Sequence, residues 1–319
     1  MTVTPKTSSM LLLVTLLLSF SGALTAQNAS TLPDDVQAQH ADIWSEGTRM
    51  SATVYTPSSA SASDTLPTIL MAHGWGGIAA QLRRDAISFA QNGYLVVTFD
   101  YRGWGESDGR IIATQALPAD RQGAFTTQVR EIREVVDPVD MLTDWENAMH
   151  WLQAVPQVDT ERIGVGGSSQ SGGYVVEMAA RDDRIKAVHS QVGSLSGRSI
   201  GETVQAYNDA TLRARGELSY PEAGATVVGN LRGAPIANRF ANYSPVDKMD
   251  QIDGTPIQFV LAGDEELFDN REHGILAHDR YDGPKNLVII PDISHYGIYR
   301  EAWQQANDLA VQWFDRHLK

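Results

Sequence analysis

Arg162-Ile-Gly-Val-Gly-Gly-Ser-Ser-Gln-Ser-Gly-Gly173 decides the fold. A short apolar run at Arg162–Gly166 has strand character, and a helical stretch from Gly172 to Ala180 follows after only a few small residues. A strand that passes so abruptly into a helix is half of a parallel β-α-β unit, and the pattern extends in both directions. Upstream, Pro67–Ala72 and Gly93–Phe99 are short apolar runs that flank a helical segment at Ala79–Asn92. Downstream, strands are expected at Ala187–Val192, Pro256–Ala262 and Asn286–Ile290, with helices at Pro138–Val155 and Ala302–His317. Buried strands that alternate with amphipathic helices imply a doubly wound, mostly parallel sheet covered on both faces.

Two segments depart from this alternation. Residues 27–45 read as a polar, poorly structured start, after which Met50–Tyr55 begins an edge strand pair. Residues from about 194 to 250 contain no apolar strand run, and are expected to form a helical cap inserted over the strand ends, where loops of such sheets carry function.

The strand–Gly/Ser turn–helix passage resembles the nucleophile elbow of the α/β-hydrolase fold, in which the residues two before and two after the nucleophile must be small. Ser168 fails that rule because Gln170 stands at its +2 position. Ser169, between Gly167 and Ser171, is favoured over Ser171 because it follows the strand end as closely as the family pattern requires. The departure is Ser171 where the common motif has glycine. Further motifs agree with the resemblance. His73-Gly-Trp-Gly-Gly77 after a strand is similar to the superfamily's oxyanion loop, which implies that the backbone N–H groups of Trp75 and Gln170 stabilise developing negative charge. His73 itself is expected to brace the loop. Asp100-Tyr-Arg-Gly-Trp-Gly-Glu-Ser-Asp-Gly109 matches a turn marker of the fold.

The superfamily orders its triad as Ser, acid, His. Counting three residues past Gly263 puts the acid at Glu266, with Asp264 and Glu265 as neighbouring carboxylates that leave the choice open. His295, on the loop after the last strand, is the expected base, and the other seven histidines have structural readings. His273 and His278 lack the spacing and the third ligand of a metal site, so neither metal nor cofactor is expected. Together the motifs look most like bacterial hydrolases related to dienelactone hydrolases and X-Pro dipeptidyl peptidases. That resemblance implies a serine hydrolase acting on a small-molecule ester, with short-peptide hydrolysis and a non-catalytic binding protein as alternatives.

Composition bounds the rest. The 319 residues are 42% hydrophobic, enough for one large domain, and contain no cysteine. A formal net charge of −14 argues against nucleic-acid and anionic-membrane partners. Lys6, the apolar run Met10–Phe20 and the small residues up to Ala26 have the layout of a secretory signal peptide, cut after Ala23 or Ala26. The expectation is an exported protein, periplasmic or extracellular, whose mature domain covers 27–319 and carries no membrane span.

Overall fold

The computed structural model describes residues 32–120, 122–227 and 231–319, and its compact unit runs from Pro33 to Lys319. The segment read as a signal peptide lies outside the described residues.

In chain order the strands are β1 (Val36–Ser45), β2 (Thr48–Pro57), β3 (Leu66–Ala72), β4 (Leu95–Phe99), β5 (Arg110–Ala113), β6 (Val129–Ile132), β7 (Val135–Val136), β8 (Val158–Ser168), β9 (Ile185–Gln191), β10 (Ala234–Pro235), β11 (Ile257–Asp264) and β12 (Lys285–Ser294). The helices are α1 (Arg83–Gln91), α2 (Pro138–Leu152), α3 (Gln170–Ala179), α4 (Arg198–Gly201), α5 (Val204–Ala214), α6 (Gly274–Arg280) and α7 (Trp303–Leu318). Eight strands form the main sheet in the order β1-β2-β4-β3-β8-β9-β11-β12. The β1–β2 hairpin and the β2–β4 pair are antiparallel, and every other neighbour is parallel. This is the mostly parallel α/β sheet expected from the alternation of elements.

The parallel strands are apolar along their whole length because both faces are covered: all five residues of β4 are buried, and so are six of the seven of β3. One face carries α1 and α7, joined where Phe89 meets Phe314 edge to face at 5.7 Å and where Ser88 Oγ donates to Asn307 Oδ1 at 2.6 Å. The other face carries α2 and α3. The start of α2 is set locally: Asp137 Oδ1 accepts from Val139 N–H at 3.0 Å and Pro138 occupies the first helical position, a pairing that stabilises a helix end by about 1 kcal/mol.

Residues 36–45 correct the expectation of an unstructured start. They form β1, an edge strand whose hydrogen bonds come from β2 alone and whose side chains are mostly exposed, Trp44 included. A strand with most of its side chains in solvent needs few apolar residues, so the pattern that reveals β2 is absent. Buried Ile43 is its main anchor in the core.

The segment 194–250 contains α4, α5, the short β10 and three 3-10 turns. A second excursion accompanies it: the β5–β6 hairpin, which sequence patterning did not announce, reaches it through Arg110 to Tyr220 Oη at 2.8 Å and Arg130 to the Tyr220 carbonyl at 2.9 Å. Glu134 and Arg232 add an ion pair between the same two regions.

Chain order places a crevice between β3 and β8. From β3 the chain winds outward to β4, and from β8 it winds the other way to β9, β11 and β12. Loops leaving two adjacent parallel strands in opposite directions open a cleft at the strands' carboxyl ends. The register Ala72 to Gly167 brings those ends level, so the loop beginning at His73 and the turn at Ser168–Ser169 face each other.

Candidate active site

Ser169 sits at that switch point in a conformation that few side chains adopt, with φ 59° and ψ −124°. The strain is held by neighbours on all sides. Ser169 N–H donates to Gln191 O at 2.9 Å, and Ser169 O accepts from Ser194 N–H at 3.0 Å. A Cβ on Gly167 would overlap the Ser171 carbonyl, and one on Gly74 would come within 2.9 Å of Ser168 O. These steric limits explain why the turn is rich in small residues.

The three serines separate by direction. Ser171 is fully buried in the first turn of α3. Ser168 Oγ donates to Tyr299 Oη at 2.8 Å and accepts from Gln191 Nε2 at 3.1 Å. Ser169 Oγ lies 3.0 Å from His295 Nε2, within hydrogen-bond reach of the imidazole.

His295 is 1% exposed, and its Nδ1 lies 2.9 Å from both carboxylate oxygens of Glu265. The ring is packed edge to face against Phe268 and Tyr296. Glu266, expected from the sequence to face the ring, does not: its Oε2 accepts the backbone N–H of His295 at 2.6 Å. The reason is an irregular end to the β11–β12 ladder. Ala262 pairs with Ile290 but Asp264 pairs with Ser294, so two residues of β11 span four of β12. A bulge re-aims the side chains beyond it. With Asp264 opposite Ser294, the next residues, Glu265 and His295, come together, and Glu266 is left to support the loop from outside. Asp264, the other carboxylate weighed from the sequence, has no bond to His295.

The loop after β3 completes the crevice. Among the described residues, neither the Trp75 N–H nor the Gln170 N–H has an acceptor, and Gln170 opens α3, where the first amides of a helix are unpaired by construction. The Trp75 side chain is fixed by the 194–250 segment: its Nε1–H donates to Gly233 O at 3.0 Å and its ring stacks on Phe240 at 5.6 Å. His73 is buried, donates from Nδ1 to the Gly74 carbonyl at 2.9 Å and meets Tyr101 edge to face. Burial pulls its pKa down to about 4, so it is a neutral brace. Asp100 holds the loop from below, accepting from Ala79 N–H at 2.6 Å and Glu106 N–H at 3.1 Å, and Gly105 is required because a Cβ there would overlap that carboxylate.

Two further contacts tie the site's walls together. His273 Nδ1 accepts from Leu195 N–H at 2.9 Å, which needs a neutral ring, and burial lowers its pKa to about 4. Phe268 stacks on the same ring at 4.4 Å and connects it to His295. Among the described residues no group of three or more His, Asp or Glu has the geometry of a metal site, and no helix is long and apolar enough to cross a membrane.

The chain as a whole resembles known proteins in sequence and in fold. The family model described as X-Pro dipeptidyl-peptidase (S15 family) matches residues 46–310. A 31.7 kDa protein of Escherichia coli is 28% identical over 285 residues, covering 79% of this chain and 91% of its own. Among solved structures, the α/β hydrolase GrgF from Penicillium sp. sh18 superposes with a TM-score of 0.68 at 17% identity, covering 88% of this chain and 99% of that one. Acetyl xylan esterase 1 from Thermoanaerobacterium sp. JW/SL YS485 superposes at 0.58 and 19% identity, covering 90% and 86%. The architecture is that of the α/β hydrolases.

Proposed function

The chain belongs to the X-Pro dipeptidyl-peptidase (S15) family of hydrolases, and on that premise we propose that it cleaves carboxylic esters through an acyl-enzyme formed on Ser169. One observation carries the reading: Ser169 Oγ, the two ring nitrogens of His295 and the Glu265 carboxylate form one continuous hydrogen-bonded chain of 3.0 and 2.9 Å links.

In the proposed reaction Ser169 Oγ attacks the ester carbonyl carbon and its proton passes to His295 Nε2. Glu265 accepts the Nδ1–H and stabilises the imidazolium. The carbonyl oxygen, now carrying the negative charge, takes hydrogen bonds from the amides of Trp75 and Gln170. Collapse breaks the bond to the alkoxy oxygen, and the alcohol leaves with the proton from Nε2. Water then gives a proton to Nε2 as its oxygen bonds to the acyl carbon, the bond from that carbon to Ser169 Oγ breaks, and Oγ takes the proton back from Nε2 as the acid departs. Glu266 takes no part in proton transfer on this reading, and positions the His295 backbone.

The test is turnover of p-nitrophenyl acetate, together with fluorophosphonate labelling and peptide mapping. Ser169→Ala is expected to lower kcat by ~10⁴-fold or more and to abolish labelling. Full activity in that variant, or label on Ser168 or Ser171, would end this assignment.

The description of the family favours a second reading, hydrolysis of short peptides. X-Pro-nitroanilides cleaved faster than any ester in a matched panel would establish it. We also propose export, on the leader-like residues 1–26. A mature protein in the periplasm or medium that starts just after Ala23 or Ala26 is the expected result, and a cytoplasmic product that retains Met1 would refute it.

A further inference from the structure

A cavity of about 420 Å³ begins at Ser169 and continues between the sheet and the α1–α7 layer. This lies within the range of small-molecule pockets. Its floor follows the cross-strand rows of the sheet. Ser168 and Gln191 form the row beside the turn, and Met71, Gly166 and His189 form the next one inward, two residues or about 7 Å deeper. Its roof comes from α1 and α7, including Asp85, Phe89, Ala306 and Asn307.

The space exists because Gly166 has no side chain. A Cβ there would meet nothing nearer than 3.8 Å, whereas a Cβ two residues earlier, at Gly164, would come within 2.8 Å of Phe314 and Leu318. Helix α7 therefore rests on the sheet at Gly164 and leaves room at Gly166.

The inner wall is polar in a specific way. Asn307 is 5% exposed, and its Oδ1 is occupied by Ser88, but its Nδ2 has no hydrogen-bond partner within normal distance. Buried amide donors are rarely left unpaired, and each such group calls for an explanation. Asp85 stands close by: Trp303 Nε1 donates to it at 2.8 Å, and at longer range Asn307 also favours its carboxylate against the burial that raises its pKa. An arriving group must therefore accept from Asn307 and donate to Asp85. A hydroxyl does both. An ammonium would leave Asn307 unpaired, a carboxylate would be repelled by Asp85, and a methyl group would satisfy neither.

We propose that this cavity is the acyl pocket, and that it selects esters of medium-chain acids carrying a hydroxyl toward the far end of the chain, recognised by Asn307 and Asp85. The assignment rests on Ser169 being the nucleophile of an ester hydrolase.

The experiment compares kcat/KM for p-nitrophenyl acetate, octanoate, and 6-, 7- and 8-hydroxyoctanoate, holding the leaving group constant. In the wild-type protein at least one hydroxyoctanoate is expected to exceed octanoate by about tenfold or more, because a polar pocket discriminates against a chain that leaves its groups unpaired. Gly166→Ala and Gly166→Val are expected to lower the octanoate-to-acetate ratio progressively, and Asn307→Leu to bring the hydroxyoctanoate-to-octanoate ratio close to one. Each readout is a ratio within one variant, so a general loss of folded protein cancels. If Ser169 is labelled and acetate is cleaved, but no hydroxyoctanoate is preferred and neither substitution moves its ratio, the pocket assignment fails while the serine-ester reading stands. If no ester is cleaved and Ser169 is not labelled, the ester reading itself fails and the acyl pocket falls with it.

Discussion

The turn after β8 is shaped by its own residues, whereas the turn after β11 is shaped by the strand beside it. At the first, the left-handed conformation of Ser169 and the overlap that any Cβ on Gly167 would make with Ser171 follow from a few consecutive residues. At the second, Glu265 and Glu266 are chemically alike and adjacent. Only the pairing of Asp264 with Ser294, thirty residues away in the chain, decides which of them reaches the imidazole. Local steric rules can be read along a sequence, and pairing register cannot.

The sharpest way to break this comparison is to exchange the roles of the two carboxylates. Glu265→Gln retains the shape but cannot hold a charged imidazole, and is expected to lower kcat by ~10⁴-fold, the loss seen when the orienting acid of such a triad is neutralised. Steady-state kinetics on a p-nitrophenyl ester measure it, and a loss of less than tenfold would mean that another group orients His295.

A change to the elbow should rank next. Gly167→Ala must push Ser171 and the start of α3 away, which displaces Ser169 relative to His295. A misplacement of about 1 Å costs on the order of 10²-fold in rate. Unfolding measured alongside should show a loss of ~1–3 kcal/mol from overpacking. Wild-type activity in this variant would show that the turn tolerates a side chain and that its small residues are incidental.

Much of the site was legible for the reason that separates the two turns. Ser169, His295, Trp75 and Gln170 stand in short segments whose neighbours constrain them: a Gly/Ser turn between strand and helix, and loops directly after apolar strands. The carboxylate beside the His295 ring stands one residue before the counted position because counting from Gly263 assumes a regular strand end, and the extra β12 residues around Pro291 and Asp292 remove that regularity. Edge strand β1 and the β5–β6 hairpin escaped detection because their half-covered faces carry too few apolar residues to make an alternation, and the hairpin exposes apolar Ile111 and Val129. Asp85 and Asn307 gave no signal at all. On an amphipathic helix a polar residue reads as solvent-facing, and only packing reveals that these two look inward.

A smaller effect belongs to Glu266. Because it accepts the His295 backbone N–H and does not touch the ring, Glu266→Gln retains an acceptor in the same place. Loss of the charge assistance to that bond, about 1 kcal/mol, predicts a change in kcat below tenfold. A drop as large as that for Glu265→Gln would contradict the division of labour between the two residues.

The least effect on chemistry, but a distinct one on stability, is expected at His273, which links the β9 and β11 loops. Its ring accepts from Leu195 N–H and must stay neutral to do so, and burial holds its pKa near 4 in the folded protein against 6.5 when unfolded. The contribution is complete above pH 6.5, where both states are neutral. As pH falls from 6.5 toward 4, the unfolded chain takes up a proton that the folded ring refuses, and stability declines by up to about 3 kcal/mol before levelling off. His73 and His189, also held near 4 by burial, act in the same direction, while Asp144, raised to about 6, acts in the opposite one because its folded form binds a proton first. The wild-type curve alone therefore mixes several groups. His273→Asn isolates one, because an amide oxygen can take the place of Nδ1 as acceptor without titrating. Urea unfolding at pH 7 and again near pH 4 should show the variant losing less stability on acidification than the wild type, with the difference approaching that ~3 kcal/mol. Identical acid sensitivity in the two proteins would mean that the ring is protonated in the fold, and that Leu195 is held by something other than a neutral imidazole.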